Sequence, residues 1–467
     1  MRFSVKELLF CERDVRLRLP FRFGIVTLTE APQAFVRARI RLEDGREAEG
    51  GAAELLAPKW FDKDPALTNE QNFEQLRASL RLAREAYLAG GANTAFGHSI
   101  EAYGPQIAIA ATQGLNSLVA CFGPALIDRA LLDALCRALG VSFYSAMRTN
   151  AVGIAAPGWQ ADLMAFDMGK FLGALRPRST IAARHTVGLS DPLTAAEKKL
   201  DDGLPETLEE VIERYRHHWF KLKVSGDLAA DVERLAAIAA VLDARIGDPY
   251  RATLDGNEQY SDADGVLRLW REMRADSRLR RLISSIMYIE QPIKRANALD
   301  SDVSVLAEEK PVIIDESDDS LEAFPRARRL GYTGVSSKTC KGLYKSILNA
   351  ARCRLWNTEE GRDRFFMSGE DLTIQAGLAL QQDLALVSLL GLSHVERNGH
   401  HYVNGMAGLP EAEQDRFLQA HRDLYERSHG AVRVRIPGGA LEIKSLDTPG
   451  YGSRTLPDWN SMRKVNE

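Results

Sequence analysis

The stretch HHWFKLKVSGD, residues 217–227, sets the problem whose answer decides the fold. Phe220, Leu222 and Val224 alternate with Lys221 and Lys223. A strand here therefore sends apolar residues to one face and two ammonium groups to the other. A core strand tolerates two buried lysines only when anions face them. What stands opposite has to be read from the neighbouring strands.

Short apolar runs recur on both sides of this stretch, each followed by a longer helix-like segment. They are TIAARHTVG, WFKLKVS, RATLDGN, IMYIEQP, PVIIDES, GVSSK, RFFMSGED and LSHVERN. Strands that alternate with helices imply parallel βαβ units, and eight of them imply a closed (β/α)₈ barrel. An open doubly wound sheet is the competing arrangement, and the lack of a GxGxxG turn weighs against it. Before the barrel, QAFVRARIRL, EDG and REAEGGAAE read as a hairpin. NFEQLRASLRLAREAYLAG, IEAYGPQIAIAATQ and ALIDRALLDALCRALG carry helical spacing. The expected organisation is an α+β unit over 1–178, the barrel over 179–400, and a tail over 401–467 that packs back on the first unit.

With 45% hydrophobic and 27% charged residues the chain has the balance of a soluble globular protein. Its net charge of −4 gives no pull toward nucleic acid or anionic membrane. No apolar run approaches the roughly 20 residues of a membrane span. The opening MRFSVKELLFCERDVRLRLP lacks the apolar core of a signal peptide. Five scattered cysteines without a CxxC pair point to reduced thiols. A cytoplasmic location is the expectation.

Polar residues at the C-terminal ends of barrel strands face the mouth where barrel enzymes do chemistry. Here ATLDGN ends in Asp255, IMYIEQP in Glu290, and VIIDES in Asp315 with Glu316 beside it. Three bare carboxylates in one mouth repel one another and protonate. A hard divalent cation resolves this, and oxygen-only ligation suits Mg²⁺, one ion with Mn²⁺ as a substitute, better than Zn²⁺. Lys221 and Lys223 precede the carboxylate strands and Lys338 follows them. In an eight-stranded ring the second and sixth strands are opposite, so a substrate carboxylate on the metal lies between Lys223 and Lys338. A lysine crowded by metal and a second lysine has a lowered pKa and can remove the proton α to that carboxylate. The metal and the remaining ammonium groups then stabilise the enediolate.

The order K-x-K, D-x-N, E-Q-P, D-E-S and a sixth-strand lysine resembles the enolase superfamily, in particular the muconate-lactonizing-enzyme branch of its muconate-lactonizing-enzyme/mandelate-racemase group. The resemblance is dense over residues 221–338 and looser over the N-terminal unit, which looks like the family's capping domain. It implies an α/β fold, a TIM-type barrel with an N-terminal α+β capping domain. It implies Asp255, Glu290 and Asp315 as metal ligands and Lys223 and Lys338 as the acid/base pair. Lys221 then helps hold the substrate carboxylate, and Asn257 and Glu316 match site-lining positions. Racemisation, epimerisation and cycloisomerisation are the implied outcomes, with acid-sugar dehydration the alternative through the same intermediate. The family's habit of symmetric assembly implies a homo-oligomer.

The pattern departs from the family in two places. The mandelate-racemase branch carries a histidine base after strand seven, where this chain reads MSGED and offers Glu370 or Asp371. Strand eight ends SHVERNGHHY, without the D-x-D of dipeptide epimerases, so a dipeptide is not the expected substrate. His185 with Arg184, and His394 with Glu396, are further candidates for contact with polar substrate groups. FRFGIVTLTEAP, with Gly24 as a flexible point, and LLAPKWFDKDP, with Trp60 and Phe61, are candidate cap loops over the mouth. Two readings from other classes compete with this one. They are a Schiff-base aldolase, to which the three carboxylates are foreign, and a non-catalytic binding member, which gains nothing from the buried charges.

Overall fold

The computed structural model describes residues 1–23, 26–155, 158 and 160–465. Gly24 lies outside the described residues. The described residues of that stretch on either side of it belong to β1 (Phe3–Phe23) and β2 (Val26–Leu42), which pair antiparallel as far as Phe21 with Leu28 and beyond. Apolar alternation along both segments carries the ladder. Its register slips between Arg16 and Phe21, where Pro20 has no N–H to give. β3 (Glu47–Leu55) completes the layer on the other edge of β2.

Helices α1 (Asn69–Ala89), α2 (Ala95–Thr112) and α3 (Ser117–Leu139) cover this sheet. Thr68 opens α1 with a capping box closed by Gln71. α3 is buried from Leu118 to Cys136 and lies so close to β3 that a Cβ on Gly50 would run into the backbone of Ala130 and Ala134. Glu54 and Asp128 are among the acids sealed inside this unit. Glu54 pairs with Arg129 at 3.0 Å, and Asp128 accepts hydrogen bonds from Tyr87 and Ser99, both at 2.7 Å.

The eight expected barrel strands all form: β4 (Thr180–Val187), β5 (Trp219–Lys223), β6 (Arg251–Asp255), β7 (Ile286–Glu290), β8 (Val312–Ile314), β9 (Gly334–Ser337), β10 (Phe366–Gly369) and β11 (His394–Arg397). Each is parallel to the next, and β11 closes on β4 from His394 opposite Ala182 to Arg397 opposite His185. The open-sheet alternative is thereby excluded. Past the barrel come the hairpin β12 (Tyr425–Ser428) and β13 (Ala431–Val434), then β14 (Ala440–Glu442) and β15 (Arg463–Lys464). β14 adds antiparallel to β4, β15 pairs with β1, and Arg13 of β1 donates to Glu413 at 2.8 Å. Among the described residues, no helix is long and apolar enough to cross a membrane, and the five cysteines are buried and unbridged.

Burial pushes the Asp128 carboxyl up from 3.8 to about 7, against the hydrogen bonds from Tyr87 and Ser99. A carboxyl raised on folding stabilises in acid and loses that contribution as pH climbs through its folded value. Asp128→Asn is therefore expected to be close to neutral at pH 4 and to raise the thermal midpoint relative to wild type at pH 8. The difference is on the order of 4 kcal/mol at most, read by calorimetry at the two pH values. A shift of the same size at both would rule out the ionisation as its cause.

Candidate active site

Alternation on β5 resolves as the sequence requires. Phe220 and Leu222 point outward into the shell of apolar residues between strands and helices. Lys221 and Lys223 point inward and are 1% and 6% exposed. Lys223 stands in register with Asp255 of β6, and Asp255 with Glu290 of β7. Asp315 directly follows β8. The three strand-end carboxylates thus occupy adjacent strands at one end of the barrel.

Lys221 is the centre of the cluster. Its Nζ lies 2.9 Å from Asp255, 2.8 Å from Glu290, 2.8 Å from Glu370 and 3.0 Å from Glu396. Lys223 donates to Asp255 Oδ2 at 2.5 Å. Burial works to raise the Asp255 carboxyl, and Lys221 with Lys223 outweighs it and holds the group below its usual range. Glu290 goes the other way: burial, with Asp255 and Glu370 adding repulsion, pushes it well above the carboxylate range. Lys221 straddles this carboxylate, with Nζ 2.9 Å from Glu290 Oε1 and 2.8 Å from Oε2.

Lys338, across the barrel, donates to Asp315 Oδ2 at 2.6 Å. Burial pulls its ammonium pKa down, and Asp315 more than reverses that. Asp315 is further held by Ser336 and by Lys341, whose Nζ lies 3.3 Å from Oδ1. The Trp60 ring covers Lys338, with Nζ 4.3 Å from its centroid, and Phe61 packs edge-on against Phe122 of α3. Arg295 fixes this loop by donating to the Trp60 and Phe61 carbonyls at 2.7 and 2.9 Å. Asn257 donates to Glu316 at 3.3 Å, and Lys63 from the cap reaches the same carboxylate at 3.4 Å.

The turns that follow β6 and β7 carry backbone strain. Asn257, Glu258 and Gln291 have φ of 39°, 69° and 31°, each costing about 1–3 kcal/mol for a residue with a side chain. Gln291 offsets its share through its amide. Oε1 accepts from the backbone N–H of Asp315 and Ser317 at 2.8 and 3.0 Å, and Nε2 donates to Ser317 Oγ at 2.7 Å. The middle residue of E-Q-P thus locks the turn that positions Asp315.

Two candidates from the sequence stand apart from this cluster. His185 lies on the outer side of β4, because Arg184 and Thr186 take the inward positions, bonding to Glu370 and Glu396. His394 opens β11 at the far end from Glu396, stacked on Trp219 at 4.4 Å with Nδ1 2.6 Å from Arg184. Glu370 is inside but pinned: Lys221, Arg184 and Ser368 all donate to it. Burial notwithstanding, Arg184 and Lys221 hold its carboxyl low. Sequence reasoning missed Lys341, which sits one tight turn beyond Lys338, and Lys63, for which no periodic signal exists on a cap loop.

Asp255, Glu290 and Asp315 fit a hard divalent cation. They are oxygen-only, converge from neighbouring strands, and leave Glu290 with a raised pKa that a cation would relieve. Open clefts lie elsewhere, one by Tyr144 and Lys444, another by Glu12 and Arg77. The charged groups that line the second are mostly exposed, Arg16, Glu30, Glu70 and Arg463 among them, whereas Lys221, Asp255, Glu290 and Asp315 of the barrel mouth are buried.

Residues 203–359 match the family described as enolase C-terminal domain-like. Solved structures share the whole architecture at low identity. A dipeptide epimerase from Enterococcus faecalis, complexed with Mg and L-Leu-L-Tyr, is 14% identical with a TM-score of 0.61, over 96% of this chain and 99% of that one. A muconate lactonizing enzyme from Pseudomonas fluorescens, complexed with muconolactone, is 19% identical at 0.60, over 98% and 97%. An N-succinyl Arg/Lys racemase from Bacillus cereus is 16% identical at 0.60, over 98% and 96%. No curated protein sequence matches the chain significantly.

Removing the central ammonium exposes what it balances. Lys221→Met leaves four carboxylates facing one another and is expected to destabilise the fold by roughly 3–5 kcal/mol. Added Mg²⁺ should recover part of the loss in a thermal melt. A variant as stable as wild type without metal would mean that the carboxylates are not charged together.

Proposed function

We propose that this chain is an isomerase or lyase of the enolase superfamily that removes the proton α to the carboxylate of a small-molecule substrate. The observation that carries this reading is the placement of Lys223 and Lys338 on opposite strands, with Asp255, Glu290 and Asp315 on the arc between them. Asp255, Glu290 and Asp315 would hold one Mg²⁺. Bound there, it supplies positive charge against the oxygen atoms on which the enediolate's charge collects.

The chain's own groups do the rest. Arg184, Lys221, Lys223, Lys338 and Lys341 face Asp255, Glu290, Asp315, Glu370 and Glu396, so the lining is close to neutral with every group ionised. A divalent cation added to it calls for an anionic substrate. An enediolate, which carries one more negative charge than its parent carboxylate, answers that surplus better than the substrate does, and this is the preference that lowers a barrier. Lys223 and Lys338 approach the α-carbon from opposite sides, one taking the proton and the other able to return it. Lys221 anchors the carboxylate end, Asn257 and Glu316 line the mouth, and Trp60 keeps water from Lys338.

Racemisation, epimerisation and cycloisomerisation all follow from proton return or ring closure, and a substrate with a β-leaving group is dehydrated instead. The HVERN end of β11 offers an ammonium group no second acid of a D-x-D pair, which speaks against dipeptides. The test is α-proton exchange followed by NMR in D₂O with Mg²⁺, across acid sugars, acylated amino acids and lactones. Exchange in wild type should vanish with EDTA and fall at least 10³-fold in Lys223→Ala or Lys338→Ala on at least one stereoisomer, on the order of a lost general base. Exchange indifferent to EDTA would end the metal-assisted reading. Borohydride trapping of a lysine adduct would replace it with Schiff-base chemistry.

A further inference from the structure

The outward turn of His185 brings it into a second constellation that the proton-abstraction chemistry does not use. His217 precedes β5, and His400 lies in the short helix Gly399–Tyr402 after β11. Each of the three offers a ring nitrogen, and these atoms all lie within 4.8 Å of one another in the buried layer outside the barrel wall. His185 stacks on His217 with ring centroids 5.4 Å apart, and His217 and His400 are 5.9 Å apart.

We propose that His185, His217 and His400 form a second metal site, separate from the carboxylate centre, that takes a borderline divalent transition ion of the Zn²⁺ class through three imidazoles. The hydrogen bonding points to it. His217 Nδ1 lies 2.9 Å from the Ala183 carbonyl oxygen. It therefore carries the proton, and Nε2 keeps a free lone pair, the arrangement that orients a ligating histidine. His217 Nε2, His185 Nδ1 and both ring nitrogens of His400 are buried with no hydrogen-bond partner. Leaving such a group unsatisfied costs about 1–3 kcal/mol, and with one nitrogen from each of the three rings gathered in one place a shared partner is called for.

The protonation state suits a ligand. Burial lowers all three imidazoles, His217 to about 4, and keeps them neutral near pH 7. Nitrogen donors without carboxylates select Zn²⁺, Co²⁺ or Ni²⁺ over Mg²⁺. The cations nearby are occupied: Arg397 pairs with Asp371 and Asp383, and Arg433 donates to Asn404. Tetrahedral ligation at 2.0–2.1 Å sets nitrogens about 3.3 Å apart, so the rings close inward by an ångström or so on binding. The site ties β4, the entry to β5 and the segment after β11 together at the seam where the barrel closes.

The experiment uses the full chain, stripped with chelator and reloaded with Zn²⁺ or Co²⁺ in the presence of excess Mg²⁺. Wild type should retain one equivalent of Zn²⁺ through desalting, and Co²⁺ should give the visible absorption of a four-coordinate nitrogen site. His217→Gln and His400→Asn should each lose both signals, while Glu290→Gln keeps them. Should the histidine variants fail to fold, X-ray absorption on Zn²⁺-loaded wild type counts imidazoles directly, and three supports the site. A wild type that retains no Zn²⁺, an oxygen-only shell, or signals lost in Glu290→Gln but kept in His217→Gln would overturn it.

Discussion

One ammonium group, that of Lys221, sits among carboxylates from four other strands, and much else in the molecule follows from that. An isolated ion in this place costs several kcal/mol, and four carboxylates without it would not stay ionised together. The contacts to Asp255, Glu290, Glu370 and Glu396 therefore fix β6, β7, β10 and β11 around β5. They also explain why the lumen is filled with charge where many barrels carry Val and Leu. The apolar work is moved outward, to Phe220, Leu222 and their neighbours between strands and helices. Fold and charge cluster are in this sense one object, since the contacts that neutralise Lys221 are the ones that hold the strands around it.

Much of this was legible in the chain itself. Eight apolar runs gave eight strands because each is short and is followed by a segment of helical period. The strand-end carboxylates and the K-x-K pair are local patterns whose direction is set by alternation alone. Parity also explains the misreading of His185: with Arg184 proposed for the lumen, its neighbour had to face the other way. His394 failed for a different reason, since alternation gives the side of a strand and not the height along it. It occupies the strand's start, two residues before the level of Glu396.

Long-range features were the ones the sequence kept back. FRFG and VTLTEAP read as a loop because Gly24 and Pro32 punctuate them, yet pairing with β2 extends β1 past both Pro20 and Phe21. Lys63 reaches Glu316 across nearly the whole cap-to-barrel separation in sequence, and no pattern announces such a contact. Glu396 was visible as a candidate, but its role as a partner of Lys221 depends on ring closure between β11 and β4.

The indole of Trp60 above Lys338, with its carbonyl held by Arg295, divides labour along the chain. The charged groups of the mouth belong to the barrel strands, whereas the ring that covers Lys338 belongs to a loop of a different layer, tied down by Arg295 on its carbonyls and by Lys63 on Glu258 and Glu316. Arg295 would grip almost any residue at positions 60 and 61. The height of the cover over Lys338 is thus set by the loop's main chain, while the face it presents there is set by the side chain at position 60.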